Sequence, residues 1–404
     1  MAEKFPFGTW IYNILGDFKP DELETWHECG ITLSVTERTF YGKHNIADLI
    51  PFLDKAEELG IKLVANIVGL TNGDMLSIGE EAYECRFREV YEILRGHPAL
   101  YGFYVGDEPG TREIIEASEK ALRIQKKVAP ELTPFMNISG HTPGFTEDKF
   151  GGKSFFNWMK DLSDELGHIS FSFSQYNQMV ADEYIDMYYE SIKAIVDAAK
   201  YTKIDIWGCF LLSAHYNFRV PTEYDIMWQI TTGAALGCRG MFWFRFYDRA
   251  HGPNYHGSPL DEYGYSTEQY YKLLRCQRRF ADHYGELIMS LSFKDAYFMG
   301  KQRADYPMFG AGTHDCVTMI KAERDAIVSF FEDENGKEYM CLVNASQTKD
   351  GVYKIYHDKE KCDLVEVLFN GKQSIPYNFG NSKDHWDGQW LYPGQMAMFR
   401  IDRK

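Results

Sequence analysis

The chain has little positive charge to spare. Its 404 residues carry 43 Lys and Arg against 59 Asp and Glu, a formal net charge of −16 at pH 7. Phosphates would be repelled at long range, which argues against nucleic acid or an anionic membrane as a partner. No concentrated basic patch offsets this. Apolar runs of 18 residues are also absent, so no transmembrane helix is expected. The start, Met-Ala-Glu-Lys-Phe-Pro-Phe, has no apolar core of a signal peptide, and the chain reads as cytoplasmic. The eight cysteines are scattered without CxxC or zinc spacing, and those in apolar segments, such as Cys209 and Cys238, are expected to be buried thiols. Neither a GxGxxG turn nor a P-loop occurs, which argues against nucleotide binding. His251 and His256 lack the HExxH spacing of a zinc site, so no metal and no cofactor are expected. Aromatics, by contrast, are plentiful at 16%, mostly as 27 Tyr and 28 Phe, and around an open cleft they suit sugar stacking.

Short apolar runs alternate with amphipathic stretches through roughly the first 285 residues. The strand candidates are Phe7–Asn13, Ile31–Thr36, Lys62–Val68, Tyr101–Gly106, Pro134–Ser139, Ile169–Tyr176, Ile204–Ser213 and Gly240–Tyr247. Helical patterns lie between them, among them Pro51–Leu59, Tyr83–Arg95, Arg112–Val128, Glu183–Ala199, Glu223–Leu236 and Thr267–Tyr284. Eight strand-then-helix units predict an α/β fold, a (β/α)8 TIM barrel over residues 1–289. From about Ser290 the texture becomes short strands and turns such as Glu334-Asn-Gly336 and Asn370-Gly371, which predicts a small β-sandwich over 290–404. Nothing here argues against a homo-oligomer.

Alternation within the strands assigns faces. In Ile169-Ser-Phe-Ser-Phe-Ser174 the serines share one face, expected to point into the barrel. The fourth strand runs into Gly106-Asp-Glu-Pro-Gly110, where proline ends the strand and glycine lets the chain turn. This places a carboxylate at a strand's carboxyl end, where barrel enzymes build their sites. Simple parity turns Tyr104, Gly106 and Glu108 inward and prefers Glu108 to Asp107 as the acid in the cleft. A plainer role for the acidic pair is capping the helix that starts near Thr111.

A fourth strand ending in an acidic pair and proline resembles the clan of (β/α)8 glycoside hydrolases, whose motif is commonly Asn-Glu-Pro with Glu as acid/base. The stretches Ile206-Trp-Gly-Cys-Phe-Leu-Leu-Ser213, Arg219-Val-Pro-Thr-Glu223 and Gly233 to Phe244 resemble the seventh and eighth strands of β-galactosidase-like members. Leu391-Tyr-Pro-Gly-Gln-Met-Ala-Met-Phe399 is similar to the closing strands of their β-sandwich domains. The resemblance implies a glycosidase with a carbohydrate substrate and Glu108 as general acid/base. Clan members also carry a nucleophilic Glu after the seventh strand, but Phe210-Leu-Leu-Ser-Ala-His-Tyr-Asn217 offers no carboxylate there, and Asp107 replaces the usual Asn.

A second acid must then come from elsewhere. Asp248 follows the eighth strand and Glu37 the second, both on the helix-facing parity unless a bulge rotates them. Thr222-Glu-Tyr-Asp225 reads instead as a capping box, which gives Glu223 a structural role. Parity in Phe242-Trp-Phe-Arg-Phe-Tyr-Asp248 sends Trp243, Arg245 and Tyr247 inward. Arg245 would there pair with an acid or hold a substrate carboxylate. Trp10, Tyr12, Asn66, Tyr104, Asp107, Asn137, Tyr176 and His215 complete the expected sugar-binding lining, with His141 on a neighbouring loop. Two main readings result: a glycoside hydrolase, or a non-hydrolytic carbohydrate-binding barrel that lacks the nucleophile. A lyase or isomerase using Glu108 and His215 is a weaker third.

Overall fold

The computed structural model describes residues 4–140, 145–174, 182–249, 254–368, 372–374 and 386–404. Eight parallel strands form one sheet: β1 (Phe7–Thr9), β2 (Leu33–Val35), β3 (Lys62–Ala65), β4 (Leu100–Asp107), β5 (Phe135–Ile138), β6 (Ile169–Ser174), β7 (Ile204–Leu211) and β8 (Gly240–Phe244). Each lies inside or within a residue of an expected run. Neighbours in sequence are neighbours in the sheet, and β8 pairs with β1 through Gly8 beside Phe242. The seam between β1 and β2 is drawn together by the Thr32 N–H donating to Phe7 O (2.8 Å). Side-chain hydroxyls add to it: Thr32 Oγ1 accepts from Phe7 N (3.0 Å), and Ser34 Oγ donates to Thr9 O (2.8 Å).

Gly8 explains how the seam closes so tightly. A Cβ there would lie 2.3 Å from Leu33 O and 2.6 Å from the Phe242 ring. The first of these atoms is backbone and cannot swing aside. Gly8→Ala is therefore expected to cost about 2–3 kcal/mol through overpacking, read as a lower midpoint in urea unfolding.

The barrel is filled rather than hollow below its mouth. Phe135, Trp207 and Phe242 stack mutually at 5.0–5.5 Å between centroids, and Trp10 and Tyr104 pack edge-on 5.4 Å apart above them. The serine face of β6 points inward as its alternation predicted. Ser170 hydrogen-bonds Tyr101, Ser172 donates to Asn137 Oδ1 (2.6 Å), and Ser174 donates to Glu108 Oε1 (2.6 Å). Phe171 and Phe173 face the other way, onto Trp158 and Phe155 of the helix Phe155–Leu166.

By packing, the chain divides into two compact units. One is Pro6–Val220 with Gly240–Tyr271 and holds all eight parallel strands; the other comprises the N-terminal residues to Phe5, Pro221–Arg239 and Lys272–Lys404. In the second unit, strands Ser292–Met299, Ala326–Glu332, Glu338–Asn344, Met396–Arg403, Cys362–Val367 and Gln373–Ser374 make an antiparallel sheet in that order. A three-stranded sheet of Val317–Ala322, Gly351–His357 and Asp387–Leu391 shares its apolar core, which includes Val328, Met340, Leu342, Tyr353, Ile355 and Phe399. The hairpin at 334–336 uses Gly336 at φ 79°. Helix Glu223–Ala235 belongs to this unit and is buried throughout its last three turns. Its Trp228 Nε1 donates to Ala345 O (2.8 Å), and its Thr231 Oγ1 donates to Gly394 O (2.7 Å). Thr222 and Asp225 form the expected capping box, and Glu223 takes a bidentate bond from Arg275 (2.9 and 2.6 Å).

All eight cysteines are free thiols, and only Cys85 is exposed. Among the described residues, no helix is long and apolar enough to cross a membrane.

Candidate active site

The carboxyl ends of the strands converge on a cleft with Asp107 and Glu108 on its rim. The pair does not cap the following helix, because Thr111 does that, accepting from Ile114 N. Both acids owe their direction to a bulge. Tyr104 pairs with Phe135 and Gly106 with Met136, so two steps of β4 oppose one of β5. The extra residue shifts the parity. Gly106 consequently faces outward, where a Cβ would sit 2.3 Å from Asn72 Nδ2, and Asp107 comes level with the inward Asn137. Simple alternation had put Gly106 inside and ranked Asp107 behind Glu108, as a residue of the sugar-binding lining only. The bulge corrects both.

Asn137 Nδ2 donates to Asp107 Oδ1 (2.8 Å) and is itself fixed by Ser172. The Asp107 carboxyl is reachable from solvent at the mouth, yet protein surrounds most of it. Burial pushes it up to about 6, the Asn137 hydrogen bond opposes that rise, and the Glu108 charge adds to it. Glu108 follows in left-handed backbone, φ 40°, a region that costs a non-glycine residue roughly 1–2 kcal/mol. Its N–H donates to Asn137 O (2.9 Å), and its side chain takes the Ser174 hydroxyl. Two hydrogen bonds therefore hold an otherwise disfavoured backbone turn that presents the carboxylate to the cleft.

Across the mouth stands an aromatic group. Tyr12 touches Phe244 and Tyr255 at about 6 Å, and the buried His215 ring lies 5.2 Å from both Phe244 and Tyr255. Arg245 is only 2% exposed, and its guanidinium carbon sits 4.8 Å from the centroids of both Tyr12 and Tyr255. Burial pushes the guanidinium down to about 10, so it stays charged at neutral pH. Burial likewise lowers His215, with Arg245 adding to the effect, which keeps the imidazole neutral there. Tyr12 is raised well above the usual phenol range, by burial first and then by Asp107. The phenol thus feels both Asp107 and Arg245, tying the two sides into one site.

Other expected residues lie elsewhere. Trp243 is fully buried and packs on Phe210, which meets Tyr188 on the helix side, while Phe242 and Phe244 face inward. The parity assigned to β8 is therefore reversed. Both faces of this strand are aromatic and buried, so its hydrophobic pattern carries no signal of side. Tyr247 is also withdrawn from the cleft. Its hydroxyl donates to Glu22 and accepts from Trp26, both on the helix Glu22–Cys29. Asp248 braces a loop, accepting from Ser258 N (2.8 Å). Asn66 is buried at the end of β3, its backbone tied to Thr36 and Thr39. Tyr176, His141 and His251 lie outside the described residues. Tyr255, Arg38 and Arg249 were not anticipated, because no strand alternation reaches these loop positions.

Glu37 is 2% exposed under the loop after β1, accepting from Phe18 N (3.3 Å). Burial pushes it up to about 7 against the backbone amides of residues 16–18, and Asp17 adds to the rise. The folded state thus holds a proton that the unfolded chain releases near pH 4.5. The stability that Glu37 contributes is complete below pH 4.5 and is lost as pH climbs through about 7. In Glu37→Gln that fall of stability between pH 5 and 8, on the order of 1–2 kcal/mol, is expected to vanish. Urea titrations at several pH values would check it, and an unchanged pH slope would contradict it.

No family model matches the chain, and no curated protein matches its sequence. Solved structures do match its shape. A family 5 glycoside hydrolase from Bacteroides vulgatus aligns with TM-score 0.62 at 10% identity, covering 99% of this chain and 89% of that one. Another structure described as a glycoside hydrolase aligns at TM-score 0.60 and 12% identity, over 98% and 92%. The fold is that of glycoside hydrolases. An exo-β-1,4-mannosidase from an Opitutaceae bacterium matches 69% of this chain and 60% of its own, with TM-score 0.51 and 13% identity. Likeness at these identities speaks for the fold alone.

Proposed function

We propose that this glycoside-hydrolase fold cleaves glycosidic bonds, with Glu108 donating the proton to the leaving oxygen and Asp107 as its charged partner. The observation that carries the reading is the vicinal pair itself. Two carboxyl groups reach one cleft at the carboxyl end of β4, Asp107 held by Asn137 of β5 and Glu108 by Ser174 of β6. Burial, with the Glu108 charge adding to it, holds the Asp107 carboxyl up to about 6, so Asp107 is the negative partner above that pH. The scheme needs Asp107 ionised and a proton on Glu108 in the substrate complex. In this scheme Glu108 protonates the departing oxygen. Asp107, oriented by Asn137, stabilises the positive charge that develops on the sugar ring. The aromatic side chains of the opposite wall, Tyr12, Phe244 and Tyr255, supply a face for the ring to stack upon.

Incubation of the purified protein with a panel of α- and β-linked 4-nitrophenyl glycosides, followed by nitrophenol release, tests this reading. Release from at least one member supports it. A second reading, a barrel that binds sugars without cleaving them, draws support from the end of β7. There Ser213 and His215 stand where the related hydrolases place a nucleophile. Calorimetry would favour it if a saccharide bound and no product formed after prolonged incubation.

A further inference from the structure

Arg245 is buried without an acceptor. Nε and Nη1 are sealed from solvent with no hydrogen-bond partner, and among the described residues no carboxylate forms an ion pair with the side chain. Asp248 is near enough to be felt but spends an oxygen on Ser258 N. An unpaired buried charge is expensive, and ring faces recover only part of the loss. Nor is Arg245 alone. Arg38 lies 6.0 Å and Arg249 5.9 Å from the centroid of the same Tyr12 ring, Arg38 Nε is likewise sealed and unpartnered, and among the described residues neither side chain has an ion pair. In a chain of net charge −16, three arginines around one tyrosine, none of them ion-paired among the described residues, is an arrangement that calls for an anion from outside.

We propose that Arg245, flanked by Arg38 and Arg249, binds the carboxylate of an acidic sugar, so that the substrate is a uronic-acid glycoside. The inference rests on reading the cleft as a sugar site. It adds which sugars enter. A planar guanidinium matches a planar carboxylate in a way that it does not match a hydroxymethyl group. Tyr12 connects the anion site to the acidic pair, since it feels both Asp107 and Arg245. The negative group would be held at the arginine side of the cleft, away from Asp107 and Glu108, with which it would otherwise clash electrostatically.

The test is calorimetry on the wild-type protein with methyl glucuronoside and methyl galacturonoside, in both anomers, against methyl glucoside and methyl galactoside, with methyl galactoside 6-sulfate as a further arm. One uronoside is expected to bind at least about 30-fold more tightly than its neutral counterpart. That preference should fall below about 3-fold in Arg245→Gln and be only partly kept in Arg245→Lys, which retains charge without the fork. Equal binding of uronosides and neutral sugars by the wild-type protein would overturn the proposal, with no variant needed. Tighter binding of the sulfate ester than of either uronoside would overturn the carboxylate assignment. Uronoside binding that depends on Arg245 but leads to no turnover would keep this inference and retire the hydrolase reading. Hydrolysis of neutral glycosides without acidic preference would do the reverse.

Discussion

Glu108→Gln is expected to lower turnover of an unactivated glycoside by about 10³-fold, with KM and the unfolding midpoint little changed. Glutamine has nearly the shape of glutamate and can still accept the Ser174 hydroxyl, so the left-handed turn and its bond to Asn137 O should persist. It cannot release a proton. The leaving alkoxide must then depart uncompensated, and the loss falls on the chemical step alone. Steady-state kinetics with a thermal melt of the same preparation would show it. A fall in stability comparable to the fall in activity would instead point to a structural role.

Asp107→Asn should cost about 10²-fold and should also change the shape of the pH profile. In the wild-type protein Asp107 must be ionised to stabilise the positive charge on the sugar. Because burial holds it up to about 6, activity should rise as pH climbs through that point. In Asp107→Asn this ascending limb should be gone. A limb that persists near 6 in the variant would mean that Asp107 is not the charged partner of Glu108.

Much of this arrangement was legible in the sequence because it rests on local chemistry. The serine face of β6 announced its direction through strict alternation of Ser and Phe, which only a one-sided polar environment rewards. Thr222 and Asp225 announced a helix start through spacing alone. The acidic pair was visible because proline and glycine fix where β4 ends. The bulge at Val105 left no mark, since it depends on the register that β4 takes against β5, a contact about 30 residues away. Without it, Asp107 looks like a supporting residue of the lining. In β8 the signal failed for a different reason. A strand buried and aromatic on both faces carries no polarity from which to read its side, so Trp243 and Phe244 were exchanged.

The fate of the second carboxylate shows the same limit. Glu37 and Asp248 were reasonable candidates by position, but each is engaged by a loop amide, Glu37 by Phe18 after β1 and Asp248 by Ser258 of its own loop. Loop conformations of this kind are fixed by tertiary closure rather than by periodicity. In the proposed scheme the partner of Glu108 is its own neighbour in sequence, which simple alternation ranked behind it. Arg245 was legible as an inward charge, whereas its lack of an ion pair and the company of Arg38 and Arg249 are properties of the assembled cleft.

The most direct test of Glu108 as proton donor is the dependence of the Glu108→Gln defect on the leaving group. A 2,4-dinitrophenyl glycoside departs without protonation, whereas a methyl glycoside of the same sugar does not. General-acid catalysis by Glu108 predicts a defect of less than about 10-fold for the first and about 10³-fold or more for the second. Equal defects on both substrates would contradict it.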